Sequence, residues 1–342
     1  MATELTTTEF YPSTSPDYDY DYPDEACNKT SVIHFGAILT PVFFSFVIIF
    51  SLIGNILVLM ILIKYENLKS ITNALILNLA VSDLFFTAGL PFWAHYHIYG
   101  WTLGEPACKI INFIFYVGFC SSSILLILMT AHRYVAVMNP LSDIVSATGL
   151  FSIIATVIIW VVSILVASPA FFATKVQDLT YCGFVDPNWK LWVIYQQNAL
   201  FILSSVIFIF CYSQILWKLL RRNAQRRRNK TLKLIFVLIV VFFIGWAPYN
   251  IVILLRSIFE QQSTVSSIDF EKLCEISKSL DYALSICRLL AFSHCCLNPV
   301  FYVFVGVKFK NHLKKMLKSW GHNNNTSQNR HSRLTITSTT SE

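Results

Sequence analysis

Of the side chains in this sequence, Asp83 has the carboxylate best placed to bind a cation. Asp83 lies inside a long apolar stretch, and Asn55, Ser122 and Asn298 lie at comparable depth in three other apolar stretches. An ionisable group in such a stretch is expensive to bury and therefore indicates a functional site. Because hard cations prefer oxygen ligands, these residues predict a Na⁺ site with Asp83 as the metal ligand. A hydrogen-bond network that joins helices explains the same residues, and the two interpretations are compatible.

Seven apolar segments position these side chains. A membrane-spanning helix needs roughly 20 mostly apolar residues, and the sequence supplies them at about 37–63, 71–96, 106–138, 147–170, 190–219, 230–257 and 276–304. Of the 342 residues, 55% are hydrophobic and 13% are charged, which excludes an ordinary soluble globule. We therefore predict an all-α membrane protein, with a seven-transmembrane helix bundle over residues 36–304.

Charge is distributed unevenly along the chain and predicts its orientation. The first 30 residues hold seven acidic residues and one basic residue, whereas the loop 221–230 and the stretch after Tyr302 are rich in Lys and Arg. Since Lys and Arg mark the cytoplasmic side, we expect a multi-pass plasma membrane protein with an extracellular N-terminus and a cytoplasmic C-terminus. Asn28 begins a glycosylation sequon, which fits the extracellular side.

The regions that flank the bundle differ in composition. Residues 1–35 are acidic and poor in aliphatic side chains, which predicts a disordered extracellular segment. Residues 305–320 alternate apolar and basic positions at helical spacing, which predicts an amphipathic eighth helix on the lipid of the inner leaflet. Residues 321–342 are polar and predict a disordered cytoplasmic tail that suits phosphorylation. In the second outer loop, 176–185 predicts a hairpin.

The nine cysteines divide by depth. Five lie in apolar segments, where a cysteine acts as a small buried hydrophobic residue. Cys27, Cys108, Cys182 and Cys274 lie on the outer side, where disulfides persist, and four cysteines allow three pairings. No metal-spaced Cys/His set, phosphate loop or nucleophile-and-base pair stands out in the sequence, so we expect neither an enzyme nor a nucleic-acid partner.

Two features of the third and sixth segments suggest a moving part. Arg133 follows His132 at the inner end of the third segment, and an ionisable group there indicates a functional role. The alternative is an arginine at the membrane interface whose long side chain reaches toward water. Pro248 lies inside the sixth segment beside Trp246, and a proline there removes a backbone hydrogen bond and kinks the helix. We interpret this pair as a hinge with an aromatic sensor. Ordinary packing is the alternative, because proline is common in membrane helices.

Together these residues resemble the rhodopsin-like G-protein-coupled receptors over essentially the whole chain. Signature positions of that family are matched in order by Asn55, Asp83, Arg133, Trp160, Tyr212, Trp246-x-Pro248 and Asn298-Pro299-x-x-Tyr302. The resemblance implies an inhibitory-class heterotrimeric G protein inside the cell, and receptor kinases and arrestin at the tail. It assigns activation and coupling to His132, Arg133, Tyr134, Tyr212, Trp246, Pro248, Asn298, Pro299 and Tyr302.

Within that family the chain is similar to the chemokine receptors, and the stretches 129–134, 286–296 and 303–309 resemble those of their XC (lymphotactin) branch. The alternating Asp and Tyr of 17–22, the Pro91-Phe92-Trp93 triplet and the pair Cys27 and Cys274 fit this subfamily. The resemblance implies disulfides Cys108–Cys182 and Cys27–Cys274 and a basic chemokine ligand that the acidic tail would attract. Candidate ligand-binding residues are the sulfatable Tyr18, Tyr20 and Tyr22, and Trp93, His95, Tyr116, Tyr249, Asp281, Tyr282 and Arg288 in the outer half. Each pocket candidate has packing between helices as its alternative.

Departures from the subfamily pattern carry further expectations. Arg288 stands where most chemokine receptors have Glu, which disfavours a ligand amine and favours a ligand carboxylate or carbonyl. Asp281 lies two turns earlier on the same face and is expected to neutralise Arg288 in part. His132 replaces an Asp that restrains Arg133 at rest, which predicts raised basal activity. It also leaves open a scavenger receptor that binds chemokine without signalling. A transporter or channel is disfavoured, because neither repeated halves nor paired intramembrane charges are evident.

Overall fold

The computed structural model describes residues 27–139, 150–177, 181–221, 228–263, 270–305, 309–316 and 318. These residues form α1 (Thr30–Tyr65), α2 (Ile71–Tyr99), α3 (Gly104–Met138), α4 (Leu150–Ala173), β1 (Thr174–Gln177), β2 (Tyr181–Phe184), α5 (Pro187–Arg221), α6 (Arg228–Ser263), α7 (Phe270–Phe292) and α8 (His294–Val305). Residues 309–316 are also helical; they lie within the segment 305–320 that was predicted as an amphipathic helix, whereas α8 is the inner part of the seventh span.

Seven stretches of these helices are long and apolar enough to cross a membrane. They are Thr30–Tyr65, Ile71–Tyr99, Gly104–Met138, Ser152–Ala173, Pro187–Lys218, Ile239–Gln261 and Phe270–Val300. Helices are the expected solution, because lipid offers no hydrogen-bond partner and a helix satisfies its backbone groups internally. The predicted seven-transmembrane bundle is confirmed.

The ends of the spans differ from the sequence-based bounds. The helix of the first span begins at Thr30, ahead of the predicted residue 37, and α6 continues to Ser263, beyond the predicted residue 257. The seventh span consists of α7 and α8, with the turn residue Ser293 between them. Hydropathy marks the part of a helix that lies in lipid, so polar turns that extend a helix beyond the membrane escape it.

An aromatic cluster fills the centre of the bundle. Trp246 in α6 is 1% exposed, and its ring centroid lies 4.5 Å from that of Phe119 and 6.4 Å from that of Phe86. Phe86 in turn contacts Phe115 and Phe292, at centroid distances of 4.5 and 5.2 Å. Rings from α2, α3, α6 and α7 therefore meet at one level of the bundle.

Small residues let the helices approach closely. A Cβ added at Gly54 of α1 would lie 2.7 Å from Cβ of Pro299 in α8, and one added at Gly118 of α3 would lie 2.9 Å from the backbone nitrogen of Phe86 in α2. Side chains in membrane bundles pack without a hydrophobic driving force between helices, so close backbone approach carries much of the association.

The second outer loop folds as a hairpin over the outer end of α3. Its strands β1 and β2 pair antiparallel, with Val176 opposite Cys182. The hairpin predicted for 176–185 is therefore present, although 178–180 lie outside the described residues. Cys182 packs in a small buried cluster with Tyr96, Trp101 and Cys108, which fixes the loop against α2 and α3.

Candidate functional site

Two disulfides tie the outer segments to the bundle. Cys27 is bonded to Cys274 near the start of α7, with their Cα atoms 5.5 Å apart. Cys108 at the start of α3 is bonded to Cys182 in β2, with a Cα separation of 5.8 Å. Both pairings are those that the chemokine-receptor resemblance implies. The described cysteines that remain free are Cys120, Cys211, Cys287, Cys295 and Cys296.

Next to the first disulfide, ion pairs link four structural elements in a series that we call the outer charge chain (Lys29, Asp281, Arg256, Glu260, Lys190). The Nζ of Lys29 lies 2.9 Å from Oδ2 of Asp281, and the Nε of Arg256 lies 3.5 Å from its Oδ1. Arg256 also contacts Glu260 at 3.0 Å, and Lys190 of α5 contacts Glu260 at 3.4 Å. The chain thus connects the segment before α1 with α7, α6 and α5.

The burial of Asp281 makes this arrangement costly to break. Its side chain is 1% exposed, whereas those of Lys29 and Arg256 are 18% and 10% exposed. Removing one partner of a buried pair leaves an uncompensated charge, which is strongly destabilising. The partners described for Asp281 are Lys29 and Arg256, and its partial neutralisation of Arg288 stays a prediction.

Sequence reasoning found only Asp281 among the members of the outer charge chain. Lys29, Arg256 and Lys190 come from three other parts of the chain, and pairs so distant in sequence leave no local pattern. Arg256 and Glu260 are the exception, because a spacing of four residues places them on one helix face.

Arg288 lies against an aromatic wall in the outer half of the bundle. Its guanidinium carbon is 5.8 Å from the ring centroid of Trp93, within the range of a cation–π contact. Trp93 contacts Phe115 at 5.9 Å, and Phe115 contacts Tyr116 at 5.6 Å. One level deeper, Tyr249 contacts Trp246 at 5.8 Å. Contacts thus run from Arg288 to the central aromatic cluster.

Two other predicted ligand-binding residues have described contacts with residues outside this wall. The Nε2 of His95 is 2.9 Å from the hydroxyl of Thr102 in the turn that follows α2. The ring of Tyr282 packs edge-on against Phe35 of α1, with centroids 5.3 Å apart. These contacts fit the packing alternative. Tyr18, Tyr20 and Tyr22 lie outside the described residues.

Asn28 is exposed and lies two residues before the start of α1. Its Oδ1 accepts hydrogen bonds from the backbone nitrogen and the hydroxyl of Thr30, at 3.0 and 2.7 Å. Asn28 and Thr30 are the two defining residues of the sequon, and their contact uses the Asn28 carbonyl oxygen and not its amide nitrogen. Its glycosylation stays a prediction.

Asp83 is fully buried and is hydrogen-bonded to two of the residues predicted to surround it, which together with His294 we call the polar centre (Asp83, Ser122, Asn298 and His294). Its Oδ2 accepts a hydrogen bond of 2.8 Å from the amide of Asn298, and its Oδ1 accepts one of 3.4 Å from the hydroxyl of Ser122. Asn55 does not reach it. Instead, the Asn55 amide donates to the backbone carbonyl groups of Ser51 and Cys295, both at 2.9 Å. The structure therefore brings three of the four predicted residues together.

His294 is the member of this centre that sequence reasoning missed. Its Nδ1 lies 2.8 Å from the carbonyl of Ala291, so that nitrogen must carry the proton and donate it. In the neutral ring Nε2 is then an acceptor, and it faces Oδ1 of Asp83 at 3.8 Å. Two acceptors at this distance in a buried site favour a proton or a cation between them. The oxygens of Asp83 and Ser122 thus fit a hard cation. Among the described residues, no group of three or more His, Cys, Asp or Glu side chains is arranged to hold a metal ion.

The residues predicted to act in activation and coupling lie at two levels of the bundle. His132, Arg133 and Tyr134 lie at the inner end of α3, and Tyr212 lies in the inner half of α5. Trp246 and Pro248 lie at the central aromatic cluster in α6, and Asn298, Pro299 and Tyr302 lie in α8. The Nη2 of Arg133 donates a 2.9 Å hydrogen bond to the hydroxyl of Thr72 at the start of α2. Tyr134 packs against Phe210 with centroids 5.9 Å apart, and Tyr212 is 8% exposed. No hydrogen bond or ion pair between Arg133 and His132 is described, and the two side chains interact only as neighbouring basic groups. The α6 helix runs unbroken through Pro248, and the side chain of Tyr302 lies outside the described residues.

Comparisons with known proteins place these features in a family. The family model described as 7 transmembrane receptor (rhodopsin family) matches residues 54–302. Chemokine XC receptor 1 of Homo sapiens is 42% identical over 309 residues, which cover 90% of this chain and 90% of that protein. Chemokine XC receptor 1 of Mus musculus is 43% identical over 302 residues, which cover 87% of this chain and 89% of that protein.

Proposed function

Since the chain belongs to the rhodopsin family of seven-transmembrane receptors, we propose that it binds a basic chemokine of the XC (lymphotactin) type outside the cell and activates an inhibitory-class heterotrimeric G protein inside, driving chemotaxis. It is a chemokine receptor by family, a multi-pass protein of the plasma membrane and not an enzyme. The observation that carries the ligand class is the 42% identity with Chemokine XC receptor 1 over nine-tenths of both chains.

The first step is capture of the chemokine at the outer surface. The acidic, tyrosine-rich segment 17–22 precedes Cys27 by a few residues in the sequence, and the bond to Cys274 holds Cys27 at α7, next to the outer charge chain. A negatively charged segment attracts a basic ligand and raises its rate of association. Sulfation of Tyr18, Tyr20 and Tyr22 would strengthen this attraction. An extracellular N-terminus is part of the proposal.

The second step is entry of the flexible end of the chemokine between the helices. Arg288 and Trp93 offer it a cation and an aromatic face in one place. A guanidinium binds carboxylates and carbonyl groups and repels amines. We therefore assign the contact with a ligand carboxylate or backbone carbonyl to Arg288. Tyr116 and Tyr249 continue this surface toward Trp246.

Signal transfer requires only that the ligand favour one of two arrangements of the bundle. Trp246 links the outer aromatic wall to α6, where Pro248 lacks the amide that would complete the helical hydrogen-bond ladder. A swing of α6 at this point would open the inner end around Arg133, Tyr212 and Tyr302. A G-protein helix would then enter the groove, as amphipathic helices do in other complexes. Receptor kinases and arrestin would act on the Ser- and Thr-rich tail.

A Na⁺ ion is the proposed allosteric partner of the polar centre. Asp83 and Ser122 would hold it, and Asn298 would orient the carboxylate through its hydrogen bond. The ion would supply the positive charge that offsets a buried carboxylate. The facing acceptors of Asp83 and His294 support a cation at this point.

The test is G-protein activation in cells that express the chain, read as inhibition of cyclic AMP synthesis. A panel of chemokines that includes lymphotactin would be applied to the chain and to the Arg133→Ala variant. We expect a response to lymphotactin that the variant loses. A response to other chemokines with none to lymphotactin would contradict the ligand assignment.

A scavenging receptor is the second candidate, and one observation favours it. Arg133 lacks the neighbouring acid of most chemokine receptors, and it bonds to Thr72 instead. If the chain binds and internalises lymphotactin without changing cyclic AMP, the scavenger assignment replaces the signalling one. His132→Asp is then the first substitution to test for restored coupling.

A further inference from the structure

The inner end of α1 and the helical residues 309–316 enclose a surface depression that the receptor function leaves unexplained. It is lined by Tyr65, Glu66, Asn311, His312, Lys314 and Lys315. We propose that this depression binds the phosphorylated headgroup of an inositol lipid. The proposal goes beyond the chemokine assignment and does not depend on it.

The walls of the depression are held in place by contacts between α1 and residues 309–316. The ring of His312 stacks on Tyr65, with centroids 5.1 Å apart and planes 13° from parallel. The Nε2 of His312 lies 3.3 Å from Oε1 of Glu66. Met316 is 2% exposed, and Phe309 packs against the main hydrophobic core. The lysines of this segment are therefore fixed to the bundle at defined positions.

The charge around the depression is positive. Lys310, Lys314, Lys315 and Lys318 are exposed on this segment, and Lys64 and Lys69 are exposed where α1 ends. Within the part of the chain that the structure describes, Lys314 and Lys315 have no acidic partner. The carboxylate of Glu66 is engaged by His312 and by the Asn73 amide, at 3.3 Å each. A ligand with several negative oxygens matches this arrangement.

A lipid is the occupant that the surroundings favour over a soluble phosphate. Clusters of Lys on helices beside a membrane attract anionic lipid headgroups. Ile63, one residue before Lys64, is 65% exposed, and Ile56, two turns earlier in α1, is 44% exposed. The acyl chains of a lipid can lie along these side chains while its headgroup reaches Lys314 and Lys315. A free phosphate would gain nothing from the apolar surface.

The experiment measures lipid binding by the purified full-length chain in phosphatidylcholine nanodiscs. Phosphatidylinositol bisphosphate is titrated, bound lipid is counted by native mass spectrometry, and phosphatidylserine at matched charge gives the non-specific level. We compare Lys314→Gln/Lys315→Gln with Lys310→Gln/Lys318→Gln, a control with the same charge change on the same segment but outside the depression. Both leaflets of a nanodisc are accessible, so the result is independent of orientation.

We expect the first double variant to weaken binding about tenfold or more and the control to weaken it about threefold or less. Equal weakening by both variants would mean diffuse attraction to a basic segment and would overturn the site. Equal binding of phosphatidylserine at matched charge would overturn the phosphorylated headgroup. Soluble inositol trisphosphate, or a phosphorylated peptide of residues 321–342, that binds as tightly as the lipid would overturn the lipid source.

Discussion

At Arg133 the identity of one neighbouring residue changes which contact holds the guanidinium. His132 cannot offer the carboxylate that an aspartate would, and Arg133 donates to the hydroxyl of Thr72 instead, at 2.9 Å. A hydrogen bond from a charged donor to a neutral hydroxyl is weaker than one to a carboxylate. The contact that holds the Arg133 guanidinium is accordingly easier to break in this chain.

This difference predicts that His132→Asp lowers basal activity. An aspartate would pair with Arg133 and stabilise the arrangement in which the inner end is closed. Since a hydrogen bond to a charged group is worth about 1.5–3 kcal/mol, basal nucleotide exchange on the G protein should fall several-fold or more. The measurement is agonist-free nucleotide exchange in membranes at matched receptor density.

The control for this substitution is His132→Asn, which is similar in size to aspartate but carries no charge. It should leave basal exchange near the level of the unmodified chain. If the unmodified chain is already as quiet as the His132→Asp variant, the predicted weak restraint of Arg133 is wrong.

At the scale of the helices, Gly54 and Pro299 show how closely two elements approach. A Cβ at Gly54 would lie 2.7 Å from Cβ of Pro299 and 2.9 Å from its Cγ, closer than carbon atoms tolerate. Pro299 has a rigid ring and cannot rotate away. The motif Asn298-Pro299 is thus packed directly against α1. Asn298, which donates to Asp83, and Pro299, which contacts α1, lie in the same turn of α8.

We predict that Gly54→Ala destabilises the bundle whereas Gly36→Ala does not. Overpacking of a close contact costs about 1–3 kcal/mol, and α1 must move away from α8 to admit the methyl group. Gly36 lies on the same helix with nothing within 4 Å of an added Cβ, and alanine is the better helix former. Thermal unfolding of the two variants in one detergent gives the comparison. Equal melting temperatures would contradict the close approach.

The elements were predictable from the sequence because each apolar run satisfies a length set by the bilayer. Contacts between the elements were harder to predict from the sequence. Asp83, Ser122 and Asn298 could be grouped by depth, but depth alone also included Asn55, which faces Ser51 and Cys295. Depth does not report rotation about a helix axis. His294 was overlooked as a possible neighbour of Asp83 for the same reason.

At the scale of the whole molecule, the outer surface is organised by one covalent bond and one series of ion pairs. Lys29 lies two residues after Cys27, whose partner Cys274 is 247 residues away in sequence. The disulfide therefore places Lys29 at α7, where its Nζ lies 2.9 Å from Oδ2 of Asp281 and donates a 2.6 Å hydrogen bond to the hydroxyl of Ser277. Through Arg256 and Glu260 the same series reaches α6, the helix proposed to move during signalling.

This arrangement predicts that the disulfide and the Lys29–Asp281 pair are energetically coupled. Lys29→Gln should lower the melting temperature of the intact chain, because Asp281 stays buried with one partner fewer. In a Cys27→Ser/Cys274→Ser background the tether is gone and Lys29→Gln should have little further effect. Contacting residues typically show coupling of about 0.5–3 kcal/mol, and a cycle of the four proteins in one detergent measures it.

Two features of the chain make this cycle discriminating. The Asn28 sequon survives Lys29→Gln, because its middle position accepts any residue but proline, so glycosylation does not differ between the arms. Lys272→Gln removes the same charge from an exposed position of α7 for which no ion pair is described. It should not change the melting temperature in either background. An equal drop for Lys29→Gln in both backgrounds would mean that the pair forms without the tether. The disulfide would then position the acidic segment alone, and the charge chain would be independent of the capture step.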